Sequence, residues 1–138
     1  MSEKPLRVLP ELSEANRFFW QAGREAELRF LRCRACRAWA HPPTPICPEC
    51  LGKDLGVEAV SGRARVLTYT LNHQAWVPSS DHPYAIAIVE LEEQQGLRLM
   101  SNIVGCAAED VHIGMAVKVR FEQYEDVWIP LFEPMGDR

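Results

Sequence analysis

Two Cys-x-x-Cys pairs separated by ten residues constrain this chain more than anything else in it: Cys33-Arg34-Ala35-Cys36 and Cys47-Pro48-Glu49-Cys50. Zinc takes four tetrahedral ligands and binds thiolate sulfur at about 2.3 Å. Two residues between paired cysteines let both sulfurs of a tight turn point at one ion, and the turn's amides can donate to them. Two such turns fill the coordination shell and leave no position for a substrate, so the site is structural. One zinc ion on Cys33, Cys36, Cys47 and Cys50 is therefore expected. Iron or an iron–sulfur cluster suits the same sulfurs, and spacing alone leaves that choice open. A redox dithiol would need a thioredoxin-like setting, which is absent. Cys106 has no sequence partner and reads as a small buried hydrophobe.

A reducing compartment agrees with this use of cysteine. No run approaches the roughly 20 apolar residues of a membrane helix, and MSEKPLRVLPELSE lacks the apolar centre of a signal peptide. A cytoplasmic protein with no membrane contact is the expectation. With 138 residues, 47% of them hydrophobic and 25% charged, the chain suits one ordinary globular domain or two very small ones sharing a surface.

Pro5 and Pro10 make the first dozen residues irregular. Ser13 looks like a helix N-cap, with Leu12 as its hydrophobic staple. Ala15, Phe18, Phe19, Ala22 and Ala26 then follow helical spacing, and Gly23 weakens a helix closing near residue 26. Leu28 and Phe30 alternate with Arg29 as a short strand leading to Cys33. The ribbon is rich in proline, and Leu51-Gly52-Lys53-Asp54 is the turn that ends it.

From Val57 onward the period becomes two. VEAV and RARVLTYTLNH read as one long strand bent at Gly62, because a glycine inside a strand marks a bulge or a barrel corner. YAIAIVELEE, LRLMSNIVG, AVKVRFEQYE and VWIPLF supply four more, with a helical turn at Ala107–Asp110 between the third and fourth. Five short strands with a small helix at that point outline an OB-fold, although strand count leaves an SH3-like barrel or an open sheet in play. The class expected is mainly β: arm, helix and lead-in strand over 1–30, zinc ribbon over 31–54 and a five-stranded OB-fold over 55–134.

No catalytic constellation is visible. His41, His73, His82 and His112 make no metalloprotease motif, Asp81-His82 and Ser79-Ser80 read as solvated loop, and Glu90, Glu92 and Glu93 read as a solvated strand end.

In this order and spacing the residues resemble a recognisable family. The pieces are Phe18-Phe19-Trp20, the run Leu31–Cys36, and Pro42-Pro43 with Cys47–Cys50. Ser61-Gly62 with Val66, Thr68 and Thr70 comes next, then Pro83-Tyr84 leading to Glu90, Gly114 with Val117 and Phe121, and Pro130 with Phe132. Members join a rubredoxin-like zinc ribbon, preceded by one or two helices, to an OB-fold. They were long catalogued as a domain of unknown function and are associated with acyl-CoA metabolism. The resemblance implies a non-catalytic accessory subunit in a hetero-oligomer. Its partner would be a lipid-transfer-type thiolase or a MaoC-like enoyl-CoA hydratase, with a role in binding the CoA ester, in scaffolding, or in both. On that view Phe19, Trp20, Trp39 and Trp76, with Val77, would line a crevice for an acyl chain or a partner. Arginines such as Arg63 would meet CoA phosphates. Against this, helix aromatics more often pack onto their own domain.

The competing class is a module binding single-stranded nucleic acid, since ribbons and OB-folds both serve that purpose. Charge argues against it. Residues 1–65 hold eleven lysines and arginines against eight acids, a surplus of +3, whereas residues 66–138 hold four against eleven, a deficit of −7. The barrel half would repel a phosphate backbone that the ribbon's small surplus could not hold.

Overall fold

The computed structural model describes residues 9–73 and 84–135. It opens with a short helix, α1 (Arg17–Gln21), continued by a 3-10 turn over Ala22–Glu25. This is shorter than the helical spacing suggests, and Ser13 is not its cap. Asn16 holds the N-cap position, and its Oδ1 accepts from the Ser13 amide at 2.8 Å. The far end tightens because Gly23 lies flat against the barrel. A Cβ there would sit 2.5 Å from Trp128 Cβ and 2.6 Å from Phe121. Ala26, at φ 59°, then turns the chain into the first strand.

Two sheets follow. The strands of the first are β1 (Leu28–Cys33), β2 (Trp39–Ala40) and β3 (Leu55–Val60), in the antiparallel order β2-β1-β3. The second is a closed barrel of five strands: β4 (Arg63–Asn72), β5 (Tyr84–Leu91), β6 (Arg98–Ile103), β7 (Ala116–Tyr124) and β8 (Val127–Pro134). Its order is β4-β5-β6-β8-β7, with β7 returning to β4 over Arg63–Arg65. A 3-10 turn at Ala108–Asp110 bridges β6 and β7. This is the OB-fold outline, and the expected mainly-β architecture of ribbon followed by barrel is what the chain adopts.

Residues 55–60 depart from expectation. They are not the first half of a bent barrel strand but pair with β1 along its whole length, from Leu28↔Val60 to Cys33↔Leu55. The chain changes sheets at Gly62, whose φ of +87° suits glycine, and a Cβ there would meet Val119 Cγ1 at 2.6 Å. The sheets nevertheless share one core. Leu28, Phe30, Trp39 and Val60 from the first pack in the same buried cluster as Val66, Val89, Val117 and Phe132 from the barrel, with Phe19 of α1 joining them. Strict alternation along β5, from half-buried Tyr84 to buried Leu91, shows the period-two pattern at work.

Candidate metal centre

The two cysteine turns have matching backbone geometry. In the first, Arg37 N–H donates to Cys33 O at 2.9 Å and Cys33 N–H to Ala38 O at 2.8 Å. In the second, Leu51 N–H donates to Cys47 O at 2.9 Å and Cys47 N–H to Gly52 O at 2.8 Å. Each turn closes on a residue with positive φ directly after its second cysteine, Arg37 at 70° and Leu51 at 65°. Amides point at the sulfurs, Cys36 N–H to Cys33 Sγ at 3.4 Å and Glu49 N–H to Cys47 Sγ at 3.3 Å.

All four sulfurs lie within 4.8 Å of one another, with Cys33–Cys50 and Cys36–Cys47 both at 3.6 Å. Sulfurs at the corners of a tetrahedron about 2.3 Å from zinc are about 3.8 Å apart, so the set fits one ion. The Cys36 amide holds the Cys33 thiol down to about 6, against the pull of burial. The Cys50 amide likewise lowers Cys47. Cys36 and Cys50 go the other way. Against the pull of the Ala38 and Gly52 amides, burial and the neighbouring sulfurs push Cys36 up to about 12, and the Cys33 sulfur pushes Cys50 up. Four thiolates together therefore need a cation among them.

Four of the five residues expected at a ligand or partner surface are among the described residues, and two of them are buried in the core. Phe19 is buried, stacked on Phe30 at 6.0 Å and on His41 at 5.1 Å. Trp39 is buried too, with the Arg32 guanidinium 4.6 Å above its ring. Trp20 is half-buried, edge-on to Phe19 at 4.9 Å. Arg63 lies apart, in a cleft of about 790 Å³ that Arg65, Glu90, His112 and Met115 also line. Its guanidinium is 2.6 Å from Glu92 and holds that carboxyl below its ordinary range. Arg65 in turn donates to Gly114 O at 3.0 Å. Trp76 and Val77 lie outside the described residues, as do Ser79, Ser80, Asp81 and His82. Cys106 is half-buried against the core, where burial and Asp110 push its thiol up.

Sequence reasoning missed the joint between the sheets. The residues after β5, expected as a solvated strand end, fasten the ribbon to the barrel. Gln94 Oε1 accepts from the Trp39 amide at 2.9 Å, while its Nε2 donates to Trp39 O at 3.1 Å, so one side chain stands in for a neighbouring strand. Glu93 Oε2 accepts from the Ser61 amide at 2.6 Å, just where the chain changes sheets. No sequence signal separates this Glu-Gln pair from an exposed turn.

With this geometry in place, comparison with known proteins is decisive. Residues 20–56 match the model of the ChsH2 rubredoxin-like zinc ribbon domain and residues 57–122 that of the ChsH2 C-terminal OB-fold domain. A DUF35 domain-containing scaffold protein of Methanocaldococcus jannaschii is 40% identical over 98 residues, covering 70% of this chain and 68% of that protein. The chain belongs to the ChsH2 (DUF35) family. Its four cysteines are those of a rubredoxin-like zinc ribbon domain and are positioned to bind one metal ion. A probable enoyl-CoA hydratase alpha subunit of Thermomonospora curvata is 36% identical over 132 residues, 95% of this chain but 41% of the relative. The chain thus spans about two fifths of the length of that hydratase subunit. Among solved structures, one described as an Ltp2-ChsH2(DUF35) aldolase superposes with a TM-score of 0.81 at 33% identity, covering 91% of this chain and 98% of that one. Among the described residues no helix is long and apolar enough to cross a membrane.

Proposed function

We propose that this chain is a non-catalytic accessory subunit that scaffolds a partner enzyme of acyl-CoA metabolism, a lipid-transfer-type thiolase or an enoyl-CoA hydratase. The observation that carries the reading is a four-thiolate centre with no ligand position left for substrate, carried by a sheet whose Leu28, Phe30, Trp39 and Val60 pack into the barrel's core. The names of relatives support it: scaffold proteins, hydratase alpha subunits, and a chain solved under the description Ltp2-ChsH2(DUF35) aldolase. His41 and His112 are engaged structurally. His41 stacks against both Phe19 and Phe30, and His112 Nδ1 lies 3.3 Å from Asp110 O.

Binding of the CoA ester is the finer part of the proposal. Arg63 and its cleft, half-buried Trp20 and Trp76 are the residues offered for it, while Phe19 and Trp39 serve from within the core. Cleft arginines already paired with Glu92 and a carbonyl would have to exchange those partners for phosphate. Co-expression with each candidate enzyme, followed by size-exclusion chromatography, tests the scaffold reading. A stable stoichiometric complex and enzyme activity that depends on this chain are expected. Separate elution with full enzyme activity would end it. For the ester, calorimetry with an acyl-CoA should show weaker binding by Arg63→Ala and Trp76→Ala, and unchanged titrations would remove those residues from the site.

A further inference from the structure

The barrel closes along only part of β4. Its first residues, Arg63–Arg65, pair with β7, and Val66 exchanges hydrogen bonds with Gly114 and Met115. A bulge then falls between Val66 and Thr68. Such an extra residue bends a strand away from its neighbour. Beyond it β4 pairs only with β5, through Thr68↔Ile88, Tyr69↔Ala87, Thr70↔Ile86 and Leu71↔Ala85. Among the described residues nothing pairs with 67–71 on the other side, and Thr68, Tyr69 and Thr70 are all exposed.

The residues on this open edge are Leu67-Thr68-Tyr69-Thr70-Leu71, a palindrome about Tyr69 without charge, proline or glycine. Exposed edges are normally guarded by charge, and the free edge of β3 fits that rule. Its Glu58 is held by Arg32 and Arg37. The β4 edge has no such guard.

We infer that residues 67–71 of β4 pair antiparallel with the same residues of a second copy of this chain, about a twofold axis through Tyr69. A twofold contact must be self-complementary, with residue i meeting j and j meeting i. Here the palindrome makes every pair a like pair. Thr68 faces Thr70 of the second copy, Leu67 faces its Leu71, and the two Tyr69 rings meet at the axis. Thr–Thr and aromatic cross-strand pairs are favourable, and no like charges oppose each other although each copy carries a net charge of −4. Opposed residues share a face, so Tyr69, at 36% exposure opposite buried Ala87, gains cover on the side the barrel leaves open. This inference is independent of the partner-enzyme reading.

Sedimentation velocity of the zinc-loaded full chain tests it, with a concentration-dependent dimer expected at high micromolar concentration. The double variant Thr68→Lys/Thr70→Lys sets lysine against lysine twice across the axis, and dimerisation should weaken roughly ten-fold or more. Thr68→Lys/Thr70→Glu instead sets lysine against glutamate twice, so the dimer should persist and become salt-sensitive. All four changes sit on exposed positions, and equal circular dichroism and zinc content verify the fold. The inference is overturned by a monomeric wild type at these concentrations, or by a lysine pair that dimerises as well as wild type. It is equally overturned if the charge-complementary pair is as monomeric as the lysine pair. A chain that is monomeric alone, yet loses a partner enzyme on the lysine substitutions, would give this edge to that enzyme and also overturn it.

Discussion

The zinc ribbon and the barrel solve the same problem by opposite means. Between Cys36 and Asp54 the only fully buried residues are Trp39, Ala40 and Cys47, too few apolar groups to order a proline-rich loop. The barrel lines its interior with Val66, Val89, Leu91, Val117, Leu131 and Phe132, each almost wholly buried, and closes its hydrogen bonds from strand to strand. One half is organised by four bonds to a point and the other by area removed from water. Perturbing the metal should therefore damage the front of the molecule, and perturbing a core side chain the back.

The largest effect separates them first. Structural zinc contributes about 10–16 kcal/mol to the folding of small zinc modules. Cys33→Ser or Cys50→Ser should abolish stoichiometric zinc and, in amide-resolved NMR, collapse the dispersion of residues 33–54 while β5 and β8 keep theirs. Collapse of the barrel as well would mean that the ribbon is part of the barrel's own fold.

The converse change is Phe132→Ala. Its side chain is fully buried on β8, and truncation of such a residue costs about 3–5 kcal/mol. Urea unfolding of the zinc-loaded chain should show a loss of that size, with one zinc per chain retained in the folded protein. Loss of zinc from folded Phe132→Ala would show that the metal site depends on the barrel.

How much of this was legible beforehand differs between the halves for the same reason. Cys33, Cys36, Cys47 and Cys50 announce themselves because metal chemistry fixes residue type and spacing together, and the period-two runs announce five barrel strands because one face must be apolar. The fate of residues 55–60 was not legible. Their alternation is that of any strand, and only the geometry at Gly62 decides which sheet they join. Phe19 and Trp39 look equally suited to a crevice or a core, since an aromatic side chain does not declare which side of it is wet. Helix length failed for a similar reason, because the approach of Gly23 to Trp128 is a tertiary fact.

A third test falls on the seam. His41 stacks against Phe19 and Phe30, and burial pushes its imidazole down to about 4 from an ordinary 6.5. As pH falls below 6.5 the unfolded chain takes up a proton that the folded ring refuses until about pH 4. Stability is therefore lost progressively through that window, by at most about 3 kcal/mol. Urea midpoints measured from pH 7 to pH 4.5 should fall for wild type and fall less for His41→Phe. Acid release of zinc is common to both proteins, so the difference between the two curves isolates the histidine. Parallel curves would mean that His41 is protonated in the folded state.

The smallest expected effect is the most specific, because it addresses what joins the halves. Gln94→Ala removes an acceptor from the Trp39 amide and a donor from its carbonyl, in a buried residue that has β1 on one side only. Leaving a buried backbone group without a partner costs about 1–3 kcal/mol, and water entering the space left by the side chain would hold the loss near the lower end. Neither half loses a ligand or a core side chain, so zinc content and the protection of barrel amides should stay as in wild type while the Trp39 amide exchanges faster. Gln94→Glu sharpens the test. It keeps an acceptor for the Trp39 amide and, as a carboxylate, sets a negative charge against the carbonyl. Amide protection should then survive better than in Gln94→Ala, though stability still drops. If both variants left exchange at Trp39 unchanged, the shared apolar core alone would hold the ribbon to the barrel, and the Gln94 clamp would be incidental.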